Sequence, residues 1–412
     1  MRMQMIAGIV SGVTFLWMSA TLQAVDGTPN WVFSSVTAAP ASDFYVSSPS
    51  LAFDHYGTPA VSWSLVSQSS GVNTVNFAQL LGLGLWSTHQ LAPATADSGL
   101  LTSLAFDRSE RPVVAWVNAN GTVQASFNLS VAQSVGSSAA TARPIIDISY
   151  DLAGTLRGMF ARTSTGNFFD IRHSGSSFSS VDMATISGFS SLHDAALVTD
   201  GRGLRHMALR GALSGGGQGV IIASEPSTAA PWPSAVLVSA SNIYGVDIAM
   251  DPGDGRVALA YTTFDSGSNT SKLFYSKFTG SFLQTTEVFS STLHRFEDVS
   301  LAFDPVDGRP AIAYERKVHS SSAEELHFAW QTSSSSWQST LVDGTIRLDA
   351  PANRPRRPSL AFDDYGTSWP AIAYVDFNGS LAVAFDPPVP EPTTLALFSV
   401  IPLLRRRCRM GR

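Results

Sequence analysis

Seven times along the chain, a short run alternating large and small apolar residues stops at an aspartate. The clearest copies are Ser50-Leu-Ala-Phe-Asp54, Ser103-Leu-Ala-Phe-Asp107, Ser300-Leu-Ala-Phe-Asp304 and Ser359-Leu-Ala-Phe-Asp363. Looser copies end at Asp151 (DISYD), Asp200 (ALVTD) and Asp251 (DIAMD). The seven aspartates are spaced by 53, 44, 49, 51, 53 and 59 residues, which is the length of one four-stranded propeller blade. Three residues before each aspartate stands an aliphatic side chain: Leu51, Leu104, Ile148, Leu197, Ile248, Leu301 and Leu360. The residue just before the aspartate is large in six copies, Thr199 being the exception, and the residue between is mostly Ala or Ser. A period of two marks a strand with one heavily packed face and one that admits a close neighbour, as the innermost strand of a blade requires.

Beyond each aspartate the pattern extends into a blade. Glycine three or four residues on (Gly57, Gly154, Gly203, Gly255, Gly308, Gly366) gives the positive φ of a hairpin turn, and the aspartate can bond its own backbone there. A second strand is clearest at Pro59–Trp63, Pro112–Trp116, Pro310–Tyr314 and Pro370–Tyr374, and third strands fall at 75–78, 123–127, 169–172, 220–223, 273–278, 326–330 and 381–385. Fourth strands open on tryptophan at Trp86, Trp232 and Trp337. The seventh repeat stops after its third strand, whereas Trp31–Val36, with the same spacing, precedes the first repeat. The expected fold is therefore all-β, a seven-bladed β-propeller over residues 25–387, closed by its N-terminal strand, which removes free sheet edges. The repeat resembles the tandem Ser-Leu-Ala-Leu-Asp-x-x-Gly-x-Pro-x-Ile-x-Tyr units of bacterial extracellular propellers over residues 31–386, a resemblance that implies the fold and assigns no chemistry.

The ends of the chain change the picture from fold to address. Arg2, the apolar run 5–20 and the small-residue site Leu22-Gln23-Ala24 read as a signal peptide over residues 1–24, cleaved at Ala24. At the other end Pro390, Glu391 and Pro392 lead into the apolar 395–404, then Arg405-Arg406-Arg407-Cys408-Arg409. That order resembles the PEP-CTERM sorting signal. The resemblance implies that residues 388–412 form a short sorting helix, contact the membrane transiently and are handled by an exosortase-type enzyme. It also implies delivery to the cell surface or extracellular matrix. The lone cysteine, Cys408, lies in this tail, so the propeller has no disulfide and no thiol chemistry.

Composition excludes more than it assigns. A hydrophobic content of 44% with 14% charged residues fills a substantial core, and a net charge of −6 offers no basic surface for nucleic acid. The repeat aspartates sit on turns of different blades, too far apart for paired acid–base work. Asp251-Pro-Gly-Asp-Gly-Arg256 and Asp304-Pro-Val-Asp-Gly-Arg309 lack the alternating oxygen ligands of a calcium loop and read as hairpins. Asp364-Tyr-Gly-Thr-Ser-Trp369 loosely resembles the sialidase Asp-box, in which the aspartate is a turn residue. None of the eight histidines forms a metal-spaced pair, so no cofactor or metal is expected. Ligand contacts are expected instead on the face where the inner strands begin, from Tyr45, Arg143, His193, Asp194, Tyr244, Glu297, Asp298 and Arg357, beside loops 64–73, 211–218, 262–271 and 316–324. The expectation is a monomeric, non-catalytic surface or matrix protein that binds extracellular polysaccharide or a surface protein. A polysaccharide hydrolase or lyase, or a purely architectural module, are the alternatives. Acidic and basic groups converging on the central channel would favour the enzyme.

Overall fold

The computed structural model describes residues 29–386, apart from 39, 41–42, 68, 70–72, 83, 96–100, 119–121, 138–144, 151–153, 163–166, 175–176, 186–188, 201–202, 226–233, 241, 280–282, 320–323, 347–356 and 364–367. The expected signal peptide with Ala24, the expected sorting tail with Pro390, Glu391 and Pro392, and Arg143 therefore lie outside the described residues. Among the described residues, no helix is long and apolar enough to cross a membrane.

Seven four-stranded antiparallel sheets follow one another along the chain, each starting with one of the seven repeats. Blades one to six are consecutive meanders; their inner strands are Phe44–Phe53, Thr102–Phe106, Ile145–Tyr150, Phe189–Thr199, Asn242–Met250 and His294–Phe303. Blade seven takes Ser359–Phe362, Pro370–Val375 and Leu381–Phe385 from the C-terminal end, and its outer strand, Val32–Ser35, from the N-terminal end. The register Val32↔Phe385 to Ser35↔Ala382 closes the ring as the sequence predicts. The looser repeats of blades three and four form complete sheets as well.

Packing explains the repeat columns. All seven aliphatic residues of the inner strands are buried, and second strands such as Pro112–Val117 and Pro370–Val375 are buried on both faces because they are sandwiched between neighbouring blades. Such strands read as continuous apolar runs, and each fully buried Val, Ile or Leu contributes about 1.5–3 kcal/mol. The outer tryptophans reach back to the preceding blade. Trp337 of blade six packs on Tyr275 of blade five at 5.3 Å, and Trp31 packs edge-on against Phe328 of blade six at 5.2 Å. Trp86 of blade one donates its indole N–H to Ser34 Oγ at 2.9 Å.

The repeat aspartates do the work of turns. Asp54 Oδ1 accepts the N–H groups of Tyr56 and Thr58 at 2.9 and 2.8 Å, and Asp107, Asp200, Asp251 and Asp304 accept equivalent turn N–H groups. Gly57 sits at φ +74, and in blade two Glu110 holds φ +63 in its place. Lys277 Nζ lies against both Asp251 and Asp254, so an ammonium group occupies the space between the carboxylates of that hairpin.

Candidate functional site

The inner strands are stitched to one another by a belt of side chains that the repeat places four residues before each turn aspartate. Ser50 Oγ accepts the N–H of Leu104 at 3.0 Å, Ser103 that of Ile148 at 3.0 Å, Ser300 that of Leu360 at 3.0 Å and Ser359 that of Leu51 at 2.9 Å. Each bond joins one blade to the next in the same rotational sense. In blades three and five the serine is replaced by Asp147 and Asp247, whose Oδ2 atoms accept the N–H groups of Leu197 at 2.8 Å and Leu301 at 2.7 Å. Blade four carries Ala196 at this position, and the N–H of Ile248 bonds to Asp247 Oδ1 instead.

On the side where the inner strands begin, here the upper face, the belt forms the floor of an axial cavity of about 220 Å³. Pro49, Leu101, Ile146, Val299 and Pro358 give it apolar walls, while Asp147, Asp247 and Arg357 give it charge. Burial raises the pKa of Asp147, against the opposing bonds from Leu197, Ser103 and Ile148 and the charge of Arg357. Burial also raises Asp247, to about 7, with the charge of Asp147 adding to the shift. Arg357 does not serve Asp147 alone, because its guanidinium also pairs with Asp194, a fully buried carboxylate. Behind Asp194 stands Arg210, with Nε 3.7 Å from Asp194 Oδ2 and Nη1 donating to the carbonyl of Ile243 at 2.7 Å.

Farther out on the same face, blades five and six place aromatic and charged groups side by side. The guanidinium of Arg295 lies over the ring of Tyr244, 4.8 Å from its centroid, and pairs with Glu297. Phe264 lies 6.3 Å from Tyr244, and His319 lies 5.4 Å from Phe264. Tyr244 and Phe264 are half-buried and His319 is exposed, with Leu293 exposed beside it and its carbonyl accepting the His319 N–H at 3.0 Å. The backbone is close here: a Cβ on Gly245 would lie 3.0 Å from Asp298 Cα, Glu297 O and Val299 N. Gly245→Ala should cost about 1–2 kcal/mol by overpacking, measured as a lower urea midpoint at unchanged m-value. An unchanged midpoint would show that the two strands separate without cost.

The rim residues expected from the sequence therefore divide. Tyr244, Glu297 and Asp298 are half-buried on the upper face, His193 is exposed there with Nε2 3.2 Å from Ser191 Oγ, and Arg357 lines the cavity. Tyr45 and Asp194 lie inside, at 5% and 0% exposure, so the one packs in the blade and the other acts through Arg357. Asp147, Asp247, Arg210 and Arg295 are not among the residues that the sequence pointed to. The signal for the first two stood in the repeats, as the two copies that begin with Asp where four others have Ser.

The sequence matches no family profile and no curated protein. Solved structures do match. The BP39L lectin from Burkholderia pseudomallei aligns with a TM-score of 0.58 at 12% identity, over 84% of this chain and 99% of that one. An oligogalacturonate lyase in complex with manganese aligns with a TM-score of 0.53 at 10% identity, over 88% and 98% of the two chains. An ulvan lyase bound to -[GlcA(1-4)Rha3S]- aligns with a TM-score of 0.53 at 10% identity, over 84% and 94%. At these identities the likeness is one of fold, and the chain is a seven-bladed β-propeller that shares its architecture with lectins and with lyases alike.

Proposed function

We propose that this chain is an exported propeller of the cell surface or extracellular matrix that binds glycan on its upper face without cleaving it. The observation that carries this reading is the row Tyr244, Phe264 and His319 beside the Arg295–Glu297 pair. Aromatic faces stack on the apolar faces of sugar rings, and a neighbouring guanidinium–carboxylate pair can both donate to and accept from hydroxyl groups. The fold shared with a lectin is in keeping with it. Export and sorting rest on the signal peptide and the resemblance of residues 388–412 to a PEP-CTERM signal, with an exosortase-type enzyme as the processing partner.

A second reading, a polysaccharide hydrolase or lyase, is favoured by one specific observation: Asp147, Asp247 and Arg357 converge on one cavity, and Asp247 is held near neutrality. Against it stands the use already made of these carboxylates. Both oxygens of each accept backbone N–H groups in the belt, the task that serine performs in four other blades.

Incubating the purified protein with the host's own exopolysaccharide, and reading both retention and soluble fragments, tests the two readings together. Retention without fragments is expected, and Tyr244→Ala should weaken it at least about tenfold, as removal of one stacking anchor does. Fragment release would sink the non-catalytic reading. Neither retention nor release would leave an architectural module.

A further inference from the structure

The repeats provide an internal comparison for Asp147 and Asp247. Ser50, Ser103, Ser300 and Ser359 occupy the same belt position and bond to the next blade with a neutral hydroxyl. The two aspartates make that bond too, so the bond itself does not call for a carboxylate. What they add is charge, in a cavity where it is poorly compensated. Arg357 is the cation of the cavity lining among the described residues, and it is shared with Asp194, which is in turn shared with Arg210. The remaining belt neighbours are hydroxyls: Ser103 donates to Asp147 Oδ1 at 2.9 Å, and Ser300 bonds Asp247. Two carboxylates lining one cavity, with one guanidinium among its described lining residues and that one shared with Asp194, cannot both ionise cheaply.

We propose that the axial cavity is an acid-responsive element: Asp147 and Asp247 together hold one proton in acidic surroundings and release it to solvent in alkaline ones, and holding it strengthens the ring and removes one negative charge from the mouth of the channel. This is independent of whether the upper face binds glycan. The groups that set the response are Asp147 from blade three, Asp194 and behind it Arg210 from blade four, Asp247 from blade five, and Arg357 leading into blade seven. Ser103 of blade two and Ser300 of blade six contribute as donors.

Linkage gives the direction. The unfolded chain loses this proton near the ordinary aspartate range, while the folded ring keeps it to near neutrality. The contribution is therefore free of penalty in acid and becomes a full penalty once the folded group has ionised. Asp247→Ser restores the residue that four blades use and keeps an acceptor for the Leu301 N–H. Relative to the parent protein, this variant should gain about 4 °C more in Tm at pH 8 than at pH 4.5. Asp147→Ser should shift the titration of Asp247 to lower pH. On the unmutated protein, difference infrared spectroscopy should show a protonated-carboxyl C=O band that fades between about pH 5 and 8, and this titration should change in Asp247→Ser. A Tm difference that is the same at both pH values, or an infrared band that does not titrate in that interval, would overturn the proposal even if a variant failed to fold.

Discussion

A chain lacking residues 25–38 will melt about 10 °C or more below the full propeller, or lose its cooperative transition altogether. The segment holds three blades at once. Val32–Ser35 forms the outer ladder of blade seven, Trp31 packs on Phe328 of blade six, and Ser34 accepts the indole N–H of Trp86 from blade one. Flanking bonds extend the clasp: the Asn30 N–H reaches Asp386 at 3.0 Å, the Val36 N–H reaches the Leu381 carbonyl at 2.8 Å, and Thr37 Oγ1 accepts the Leu381 N–H at 3.1 Å. Val36 is itself 7% exposed, in a cluster with Val46, Leu51 and Val383. Its burial and the part-burial of Trp31, added to the ladder, amount to about 5 kcal/mol or more, on the scale of a whole domain's stability. The truncation also bares the edge of Leu381–Phe385, an apolar strand open to pairing with other chains. Moving the segment to a position after residue 386 should restore both melting temperature and solubility. If the truncated chain instead melts like the parent, this strand does not close the ring.

Among single substitutions on the turn side of the ring, Arg205→Met should be one of the most damaging, at about 3 kcal/mol. Arg205 is 1% exposed, and its fork meets Glu225 with Nη2 to Oε1 and Nε to Oε2, both at 2.9 Å. Burial pushes the Glu225 carboxyl up, and the bonds and charge of Arg205, with the charge of Arg157, more than reverse this, so its pKa lies below the ordinary glutamate range. The contribution is fully present above that range and is lost as the pH falls below it through the lowered pKa. Arg157 approaches the same carboxylate at 3.0 Å and Arg172 at 3.6 Å, but neither can supply the paired geometry of Arg205. Arg172, half exposed, serves as the control: Arg172→Met should change stability by less than about 0.5 kcal/mol. Urea unfolding of the two variants side by side measures the contrast, and equal losses would show that the cluster acts as diffuse charge. Arg205→Met combined with Glu225→Gln should recover part of the loss, because the carboxylate left without its partner is then removed.

The architecture was legible because it repeats. Leu51, Leu104, Leu301 and Leu360 stand in the same frame before the same turn, and a pattern found seven times outweighs the weak copies at Ile148 and Leu197. The closing strand was legible because Trp31 shares the spacing of Trp86 and Trp337 and the seventh repeat lacks its fourth strand. Function-bearing positions obey the opposite logic, since they are where blades differ. Asp147 and Asp247 were hidden by their own fit to the repeat: the aliphatic residue and the terminal aspartate matched, and the substitution of the leading serine passed as looseness. Tyr45 and Asp194 were misplaced on the rim because position along a strand fixes which end a residue occupies, not whether its side chain turns outward or into the blade. Contacts such as Arg295 over Tyr244 join residues of neighbouring blades, and no local spacing encodes them.

The clasp between the two ends also sets a clock. Asn30 and Asp386, 356 residues apart, are bonded in the finished ring, so the earlier segment must wait for one made much later. Blades one to six are local meanders and can form in turn as they emerge. The seventh cannot, and until it does Leu381–Phe385 has no outer neighbour. Closing this ring thus requires one long-range search, for which loop closure is most costly. A cell that makes the protein must keep that first strand from finding another chain's open edge before it finds its own.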